Sequence, residues 1–432
     1  MQTVILAGGR GSRLGLKDIP KPMVKIGSKP LLEHQIELAK KYGCTEVFIL
    51  SGYLAEVIEK YFGNGEKLGV KIHHIKEAEP LGTAGALKQL ENLLDERFMV
   101  FYGDIFMEFD INAFKAFDLK HKNSIGTLLV HPNSSPFDSD LIETDKTGRV
   151  INIFPKPHKE GIYYNNLANA AVYIFSKKIF NYIKKGIYQD LGKDILGKII
   201  LSNKELYAYK TSEYIKDTGT KERLMQAAID YKNGKPALLN KKNKRPCIFL
   251  DRDGVLNEDM GGKPAAEKFK LLKGAVEAVK KINKSNYLAV TASNQPMAAK
   301  GFITISDIEL IHKKMETLMG LEGAYFDGIY YCPHHPDKGF DGEIKELKTA
   351  CACRKPKPGL LLKAAQDLNI DLEKSYIIGD SETDLLAGKN AGCRTVFISK
   401  QKSKYADFYA DNILEAAEKI LGENNDNNKN AV

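Results

Sequence analysis

No stretch of this 432-residue chain is apolar over the roughly 20 residues that a helix needs to cross a bilayer. Only about five apolar residues precede the first glycines in "MQTVILAGG", too few for the roughly 7–15-residue core of a secretory signal peptide. The sequence has no internal repeat with a period of about 20–50 residues. These absences argue against membrane, secreted and solenoid proteins. At this length we expect two or three domains in a cytoplasmic protein.

Cysteine is scarce and unevenly placed. Three of the six cysteines and two of the nine histidines lie in one polar stretch, "CPHHPDKGFDGEIKELKTACACRKPKPG", at 332–359. In the cytoplasm such a cluster is more consistent with a metal site or a catalyst than with disulfides. Three thiolates and one imidazole suit tetrahedral Zn²⁺. The predicted ligands of this structural zinc ion are Cys332, His334, Cys351 and Cys353. His335 is the alternative imidazole, which we expect to be free, and reduced thiols without metal are the other interpretation.

The chain is basic, with a formal net charge of +9. Nucleic-acid binding is one explanation of such a charge. The charge is not arranged as a stripe along one helix, however, and much of it lies in "YKNGKPALLNKKNKRP" at 231–246. Small polyanions such as nucleotides and sugar phosphates also favour positive pockets. We therefore expect small-molecule substrates, and neither a nucleic acid nor a membrane as partner.

That Lys/Asn/Gly/Pro-rich stretch is the predicted linker between two similar halves. Each half alternates short apolar runs, such as "TVILAGG" and "CIFLDRDG", with helical patterns. The repeated βα order predicts two three-layer α/β domains, with ligands at the carboxyl ends of the strands. The predicted boundaries are 1–232 for the first domain, 233–245 for a basic linker, 246–421 for the second domain and 422–432 for a disordered tail.

Four separated pieces of the second half place polar residues after predicted strands. They are Asp251 and Asp253 in "DRDGVLN", Ser293 in "AVTASNQ", Lys355 in "CRKPKPG", and Asp380 and Asp384 in "IIGDSETD". The first piece alone would be interpreted as a solvated turn. In this order and at these distances the set resembles the haloacid dehalogenase (HAD) superfamily of phosphohydrolases, over residues 245–421.

The resemblance implies a role for each residue of the set. Asp251 would attack phosphorus and form an aspartyl-phosphate. Asp253 would protonate the leaving oxygen and later activate water. Ser293 and Lys355 would hold the phosphoryl oxygens as negative charge shifts.

The same resemblance implies a magnesium site. Mg²⁺ would bind the carboxylates of Asp251 and Asp380 and the backbone carbonyl of Asp253. Asp384 would position its neighbours rather than bind the metal.

The cysteine-rich loop narrows the resemblance. "YYCPHHP" and "CACRKPKPG" resemble the heptose 1,7-bisphosphate 7-phosphatases, with histidinol-phosphate phosphatases as close relatives. In that family Arg354 would contact a second phosphate, and Asn294 would contact the substrate. The family usually has TNQSGIARG where this chain has "SNQPMAAKG" at 293–301. Ser293 keeps the hydroxyl, but the altered loop leaves the substrate selectivity open.

A glycine-rich turn, "LAGGRGSRLG", follows the first predicted strand. It has neither the GK[ST] of a Walker A loop nor the third glycine of a dinucleotide-binding fingerprint, and a simple tight turn is the alternative. With "PKPMVKIGSKPLLEH" after it, the turn resembles that of the sugar-phosphate nucleotidyltransferases, over about residues 1–230. This implies a Rossmann-like, GT-A-like domain. The amides of Gly8, Gly9 and Gly11 would cradle a triphosphate, and Arg13 and Lys21 would neutralise charge during transfer.

Further pieces match the same family in order. Asp104 in "VFYGD" and Asp217 in "IKDTGTKERL" would hold the catalytic Mg²⁺. Lys156 in "FPKPHK" would grip the sugar 1-phosphate, and Asn169 in "LANAAVY" would lie at the sugar ring. The family commonly has Glu-Lys-Pro where Pro155 precedes the lysine here, which leaves one sugar contact open. Transfer needs no protein nucleophile, because positioning and charge do the work.

The segment "EAEPLGTAGAL" bears on the choice of nucleobase. By the resemblance, Glu79 lies where the base binds and Gly82 is a further substrate contact. A carboxylate only accepts hydrogen bonds. Guanine's Watson–Crick edge offers two adjacent donors, which favours GTP. A solvated loop acid is the alternative interpretation of Glu79.

Together the halves predict consecutive steps of one pathway. A 7-phosphatase acting on heptose 1,7-bisphosphate makes heptose 1-phosphate, and a guanylyltransferase converts that product to GDP-heptose, a glycan precursor. One alternative is a nucleotidyltransferase for mannose 1-phosphate or another hexose 1-phosphate, joined to a phosphatase for histidinol phosphate or another sugar. Another is a binding protein with degenerate sites, against which the complete carboxylate and cation sets argue.

Overall fold

The computed structural model describes residues 1–9, 11, 14, 15 and 18–429, with side chains described up to residue 423. The chain divides into two compact units. The first comprises 1–131, 138–158 and 167–240, and the second comprises 132–137, 159–166 and the chain from 241 onwards. No helix in the described part of the chain has both the length and the apolar character that a bilayer span requires.

The first unit alternates strands and helices. Its strands are β1 (Thr3–Leu6), β2 (Lys25–Ile26), β3 (Lys29–Pro30), β4 (Glu46–Ser51), β5 (Lys71–Lys76), β6 (Arg97–Tyr102), β7 (Ile105–Glu108), β8 (Gly126–His131), β9 (Leu141–Thr144), β10 (Val150–Phe154), β11 (Ala168–Ser176), β12 (Leu206–Lys210) and β13 (Tyr214–Asp217). Its helices are α1 (Leu31–Lys41), α2 (Ala55–Phe62), α3 (Gly82–Lys88), α4 (Ile111–Lys120), α5 (Gly197–Leu201), α6 (Lys221–Lys232) and α7 (Lys235–Leu238).

A nine-stranded mixed sheet forms the middle layer of this unit. Its order is β10-β9-β11-β6-β1-β4-β5, and β8 pairs with β11 and β12. β1 is parallel to both β4 and β6. Side chains alternate across a strand, so Val4 enters one hydrophobic core and Ile5 the other. Helices α3 and α5 pack in the first core and α1, α2 and α4 in the second. Helices therefore cover both faces, which confirms the predicted three-layer α/β architecture.

The second unit repeats this scheme. Its strands are β14 (Cys247–Leu250), β15 (Leu288–Asn294), β16 (Gly328–Cys332), β17 (Tyr376–Gly379), β18 (Arg394–Ile398) and β19 (Phe408–Ala410). Its helices are α8 (Ala275–Lys284), α9 (Ile305–Leu321), α10 (Gly359–Leu368), α11 (Glu382–Ala391) and α12 (Ile413–Lys429). The sheet order is β16-β15-β14-β17-β18-β19, and every pair is parallel.

Burial in β14 shows why this sheet needs helices on both sides. All four of its residues are buried, as expected for a central parallel strand. Ile248 and Leu250 enter the core shared with α8, α9 and α12. On the other face, a Cβ at Gly388 of α11 would lie 2.3 Å from Ile377 in β17, so α11 packs closely there.

Two segments differ from the sequence-based expectation. The predicted linker, 233–245, contains the one-turn helix α7, and the boundary between the units falls inside it, at residue 240. The predicted disordered tail, 422–432, has helical backbone up to Lys429. The helix α12 that it continues begins with Ile413, Ala416, Ala417 and Ile420, all buried in the core. A packed first half of a helix favours its continuation, since adding residues to an existing helix is easier than starting one.

Candidate active sites

The carboxyl ends of three neighbouring strands bring the predicted phosphatase residues together. Asp251 directly follows β14, Ser293 lies near the end of β15, and Asp380 directly follows β17. β14 pairs with both of the other strands, in parallel. The ends of parallel strands meet at one edge of a sheet. Residues that are far apart in the sequence therefore share one site.

Lys355 is the buried cation of this site. Its Nζ lies 2.8 Å from Asp251 Oδ1 and 2.5 Å from Asp384 Oδ1. It also donates to the carbonyl of Ala292 at 2.7 Å. Burial acts to lower the pKa of Lys355, but the two carboxylates outweigh it and raise the pKa, so the ammonium stays charged. A charged group fixed beside Asp251, the predicted nucleophile, is what the predicted phosphate-binding role requires.

Asn294, predicted to contact the substrate, has a different partner in the structure. Its Nδ2 donates to the carbonyl of Lys355 and its Oδ1 accepts from the backbone amide of Lys355, each at 3.0 Å. Both ends of the side-chain amide are thus engaged by one peptide segment. The reason is local, because Asn294 ends β15 where the chain carrying Lys355 passes. Asn294 therefore holds the main chain of Lys355 in place.

Asp251, Asp380 and Asp384 form a carboxylate cluster whose oxygens lie within 4.8 Å of one another. Burial raises the pKa of Asp251 to about 6. Burial and the charges of Asp251 and Asp384 raise the pKa of Asp380 to about 7. Lys355 offsets one of the three negative charges. Crowded carboxylate oxygens are hard donors, and this set fits a divalent cation such as Mg²⁺.

Two glycines allow the cluster to form. Gly254 has φ of +81°, and a Cβ there would lie 1.9 Å from Asp380 Oδ2. A Cβ at Gly379 would lie 2.2 Å from the Cβ of Asp384. Asp384 is also held by Ser381, whose amide and hydroxyl donate to Asp384 Oδ2 at 3.1 and 2.6 Å. These contacts suit the positioning role predicted for Asp384.

Asp253 lies two residues after Asp251 and is held by polar neighbours. Its carboxylate accepts hydrogen bonds from Arg252 at 2.8 Å, from Asn257 at 2.9 Å and from Gln295 at 2.7 Å. Burial acts to raise the pKa of Asp253, but the charge of Arg252 and these bonds outweigh it and lower the pKa. The sequence-based prediction named Asp253 without these three partners.

The four predicted zinc ligands converge. The sulfurs of Cys332, Cys351 and Cys353 lie 3.2–3.4 Å apart, and His334 Nδ1 lies 3.3 Å from Cys353 Sγ. A tetrahedral zinc site with Zn–S bonds of ~2.3 Å places its sulfurs roughly 3.8 Å apart, so the observed cluster is close to that size. His335 is not part of it and accepts a hydrogen bond from the amide of Asp337 at 3.2 Å. Three thiol sulfurs and an imidazole nitrogen are a donor set that fits Zn²⁺.

The cluster leads directly into the segment predicted to contact phosphate. Cys353 is followed by Arg354 and Lys355. The Arg354 guanidinium donates to the carbonyl of His334 at 3.4 Å. The segment that carries Lys355 is thus joined to the cluster through both the main chain and a side chain. The second-phosphate role predicted for Arg354 stays a prediction.

The first unit brings together a second set of carboxylates. Asp104 follows β6, and Asp217 ends β13. β13 pairs with β7 in a two-stranded ribbon, with Asp217 opposite Ile105. Lys21 Nζ lies 2.5 Å from Asp104 Oδ2 and 3.9 Å from Asp217 Oδ1. An ammonium already lies between the two carboxylates, so the pair is arranged to hold positive charge, which fits a divalent cation during transfer.

Arg223, which the sequence analysis did not single out, extends this set. It donates to Asp217 Oδ2 at 2.7 Å and also pairs with Asp138. Lys156, predicted to grip the sugar phosphate, is exposed and donates to the carbonyl of Asp138 at 2.5 Å. Asp138 therefore joins Lys156 to the arginine that holds a predicted metal ligand. A basic residue one turn after "DTGT" was the available signal for Arg223.

The glycine-rich turn is described in part. Arg13 lies outside the described residues. Among the described residues, no heavy atom lies within 4 Å of a Cβ built on Gly9. Gly11 has φ of +66°. At Gly8, a Cβ would lie 3.1 Å from Glu77 Oε1, so a carboxylate lies against the turn there.

The carboxylate beside the turn is Glu77, whereas the sequence analysis named Glu79 as the residue at the base, an assignment that stays a prediction. Glu79 is exposed, whereas Glu77 directly follows β5 and is half-buried. Burial raises the pKa of Glu77. Its Oε2 accepts a hydrogen bond from the amide of Leu81 at 3.3 Å. The segment "EAE" offered two glutamates as candidates. Glu77, the one next to the end of β5, faces the glycine-rich turn.

Two other predicted substrate contacts are engaged within the fold. A Cβ at Gly82, where φ is +70°, would lie 2.5 Å from the carbonyl oxygen of Gln189, so this glycine is needed for close packing. Asn169 Nδ2 donates to the hydroxyl of Tyr173 at 2.9 Å, and its Oδ1 accepts from the amide of Ala171 at 3.1 Å. Both residues therefore have a structural use within the first unit.

Comparisons with known proteins agree with this division into two sites. The family model described as nucleotidyl transferase matches residues 2–234, more than half of the chain. A second model, described as HAD-hydrolase-like, matches residues 352–417. A D-glycero-β-D-manno-heptose-1,7-bisphosphate 7-phosphatase from Pasteurella multocida is 37% identical over 186 residues, which are 41% of this chain and 98% of that protein.

The chain belongs to the nucleotidyl transferase family in its first half and to a HAD phosphatase family in its second. It is thus a bifunctional enzyme, with transferase and hydrolase units. The phosphatase of the same name from Escherichia coli K12 is 37% identical over 150 residues, 35% of this chain and 76% of that protein. A solved structure of HddC from Yersinia pseudotuberculosis is 29% identical, covers 53% of this chain and 99% of that one, and has a TM-score of 0.47.

Proposed function

We propose that the phosphatase unit removes the 7-phosphate of D-glycero-D-manno-heptose 1,7-bisphosphate, and that the nucleotidyl transferase unit transfers GMP from GTP to the resulting heptose 1-phosphate. The observation that carries this proposal is the pairing of the two units in one chain. The phosphatase half is similar to heptose-bisphosphate phosphatases over nearly their whole length. A 7-phosphatase leaves a sugar 1-phosphate, the class of substrate that a sugar nucleotidyltransferase consumes.

In the phosphatase unit the chemistry needs two steps. An oxygen of Asp251 attacks phosphorus, and the bond from phosphorus to the sugar oxygen breaks as Asp253 gives that oxygen a proton. Water then attacks the aspartyl-phosphate, giving its proton to Asp253 and releasing Asp251 and inorganic phosphate. Lys355 and Ser293 hold the phosphoryl oxygens throughout. Mg²⁺ held by Asp251, Asp380 and the Asp253 carbonyl would draw negative charge from the phosphoryl group.

The zinc site is structural in this proposal. Four protein ligands fill a tetrahedral site and leave no position for water or substrate. Zinc held by Cys332, His334, Cys351 and Cys353 would order the segment that carries Arg354 and Lys355. The contact of Arg354 with the carbonyl of His334 supports this coupling.

In the transferase unit, a phosphate oxygen of the sugar 1-phosphate attacks the α-phosphorus of the nucleotide and releases pyrophosphate. Positioning and charge suffice, with no protein nucleophile. Lys21 and Arg13 would neutralise the phosphates, Lys156 would hold the sugar phosphate, and Mg²⁺ held by Asp104 and Asp217 would offset negative charge on the phosphates.

The preference for GTP rests on a glutamate beside the glycine-rich turn. The carboxylate of Glu77 lies against Gly8 of this turn, whereas Glu79 is exposed. A carboxylate can accept both donors of the guanine Watson–Crick edge, and no other base presents that pair. We propose Glu77 as the base-reading residue.

A substrate panel with the purified full chain tests the proposal. Phosphate release is measured from heptose 1,7-bisphosphate, histidinol phosphate and hexose phosphates, and pyrophosphate release from each NTP with heptose 1-phosphate or mannose 1-phosphate. Preference for the two heptose substrates and GTP supports the assignment. Equal use of mannose 1-phosphate, or faster hydrolysis of histidinol phosphate, contradicts it.

A further inference from the structure

The Asp253 carboxylate is bound on both oxygens by a set of buried side chains. Arg252 Nη2 lies 3.0 Å from Oδ1 and 2.8 Å from Oδ2. Asn257 Nδ2 donates to Oδ1 at 2.9 Å, and Gln295 Nε2 donates to Oδ2 at 2.7 Å. A carboxylate with both oxygens engaged has a single orientation.

Gln295 connects two parts of the phosphatase site. Its Oε1 accepts from Arg252 Nη2 at 2.8 Å, and its Nε2 donates to both Asp253 and the Ser293 hydroxyl, the latter at 2.9 Å. The orientation of this amide follows from chemistry, because a guanidinium only donates and a carboxylate only accepts. Since the Ser293 oxygen accepts from Gln295, the single hydroxyl hydrogen of Ser293 remains for a phosphoryl oxygen.

Arg252 is itself held in place by a buried histidine, His312. Its side chain is 1% exposed, and its Nη1 lies 3.3 Å from His312 Nε2. Because arginine has no acceptor, His312 Nε2 must be the unprotonated nitrogen that accepts. Burial and the charge of Arg252 lower the pKa of His312 to about 3, consistent with a neutral ring. A buried guanidinium carries a large desolvation cost, and here its partners are the acid/base residue and the glutamine that orients the serine.

We propose that Arg252 and Gln295 are positioning residues of the phosphatase unit, with Arg252 fixing Asp253 and Gln295 fixing both Asp253 and the Ser293 hydroxyl. This inference rests on the proposed phosphatase mechanism. Asp253 must deliver a proton to the leaving sugar oxygen as the bond to phosphorus breaks, and must then take a proton from the attacking water. The contacts described above hold the ionised form of Asp253, which is the form that takes the proton of the attacking water. Both transfers need the group within hydrogen-bond reach of the reacting oxygen.

The leaving group separates this role from a general structural one. A sugar alkoxide needs the proton from Asp253, whereas p-nitrophenolate departs without it. For Arg252→Met we expect kcat/KM to fall about 10²-fold or more with a sugar phosphate. With p-nitrophenyl phosphate we expect kcat/KM to change less than about threefold. Hydrolysis of the aspartyl-phosphate also needs Asp253, so the variant should show a pre-steady-state burst of p-nitrophenolate with lowered kcat and lowered KM.

The sugar phosphate for this test is chosen from a panel headed by heptose 1,7-bisphosphate. It is the compound with a primary alkoxide leaving group that the wild type hydrolyses with the highest kcat/KM. Failure of the wild type on the heptose compound alone then counts against the substrate assignment and not against this inference. Gln295→Met should lower kcat/KM for both substrates, and more for the sugar phosphate. Thr395→Val, in β18 of the same unit, removes a buried hydroxyl that donates to the carbonyl of Tyr405, and should leave the ratio of the two kcat/KM values unchanged.

Equal losses with the two substrates in Arg252→Met, without a burst, would overturn the inference. If Arg252→Met does not fold, Arg252→Lys decides in the same assay. It keeps the buried charge but loses the planar contact with both oxygens of Asp253. A lysine variant with the wild-type ratio of kcat/KM values would show that charge alone is needed, which contradicts a positioning role.

Discussion

Lys355 Nζ lies 2.8 Å from Asp251 Oδ1. Only 1% of the Lys355 side chain and 13% of the Asp251 side chain are exposed. This pair couples the proposed nucleophile to the group that receives the phosphate. The position of the pair is determined by the ends of β14, β15 and β17 and by the two hydrogen bonds that Asn294 makes to the backbone of Lys355. The relationship makes separate predictions for the two partners.

Asp251→Asn keeps the shape of the side chain but removes the nucleophile. We expect phosphatase activity to fall to background, with nucleotidyl transfer unchanged and the fold retained. Lys355→Met should also abolish activity, and in addition should destabilise the second unit by about 3–5 kcal/mol, because it leaves buried carboxylates without their cation. Phosphate release and calorimetry on both variants test this. Retained phosphatase activity in Asp251→Asn would refute the aspartyl-phosphate mechanism.

Removal of the zinc ligands should affect one unit. Cys351→Ser breaks a four-ligand cluster whose metal can contribute on the order of 10 kcal/mol to ordering its segment. We expect loss of bound zinc, a lower melting temperature for the second unit and loss of phosphatase activity. Metal analysis and calorimetry measure the first two effects.

Cys393→Ser is the matched control, because Cys393 is a buried cysteine of the same unit outside the cluster. It should keep its zinc and its phosphatase activity. Full phosphatase activity in a zinc-free protein would rule out the ordering role.

The two glutamates of "EAE" provide an internally controlled test of base selection. Glu77→Gln should lower kcat/KM for GTP by about 10-fold or more, because a hydrogen bond to a charged group contributes roughly 1.5–3 kcal/mol. Glu79→Gln should change it little, since Glu79 is exposed. Pyrophosphate release from each NTP measures both effects. A loss of GTP preference in Glu79→Gln alone would restore the assignment made from the sequence.

The carboxylate pair of the first unit predicts a selective loss of transfer. Asp217→Asn removes a proposed Mg²⁺ ligand and a partner of Lys21 and Arg223, so we expect kcat/KM for nucleotidyl transfer to fall about 10²-fold or more. Phosphatase activity should be unchanged. Asp145→Asn, in a surface turn of the same unit, is the control. Normal transfer by Asp217→Asn would remove this residue from the proposed metal site.

Much of this arrangement follows from the sequence alone, for a physical reason. Buried parallel strands leave apolar runs, and catalytic side chains follow those runs directly, so the pattern predicts Asp251, Asp380 and Asp104 at strand ends. Spacing likewise predicted that Cys332, His334, Cys351 and Cys353 belong together. Metal-binding and catalytic side chains of this kind can be recognised from residue type and spacing along the chain.

Residues that act through tertiary contacts leave no such pattern. Arg252 and Gln295 meet only because β14 and β15 are neighbours, and nothing in "DRDG" or "SNQ" alone predicts their hydrogen bond. The choice between Glu77 and Glu79 depends on which side chain turns toward Gly8. Asn294 and Gly82 are residue types that often contact ligands. In this structure Asn294 hydrogen-bonds to the backbone of Lys355, and Gly82 packs against the carbonyl of Gln189. The helical backbone of 422–429 depends on how the start of α12 packs.

The most direct test of the whole account is a single reaction with the full chain. Heptose 1,7-bisphosphate, Mg²⁺ and an equimolar mixture of the four NTPs are combined, and the products are identified by mass spectrometry. The account predicts inorganic phosphate, pyrophosphate and GDP-heptose, with little of the other nucleotide sugars. Release of phosphate without any nucleotide-heptose would contradict the claim that the two units catalyse consecutive steps.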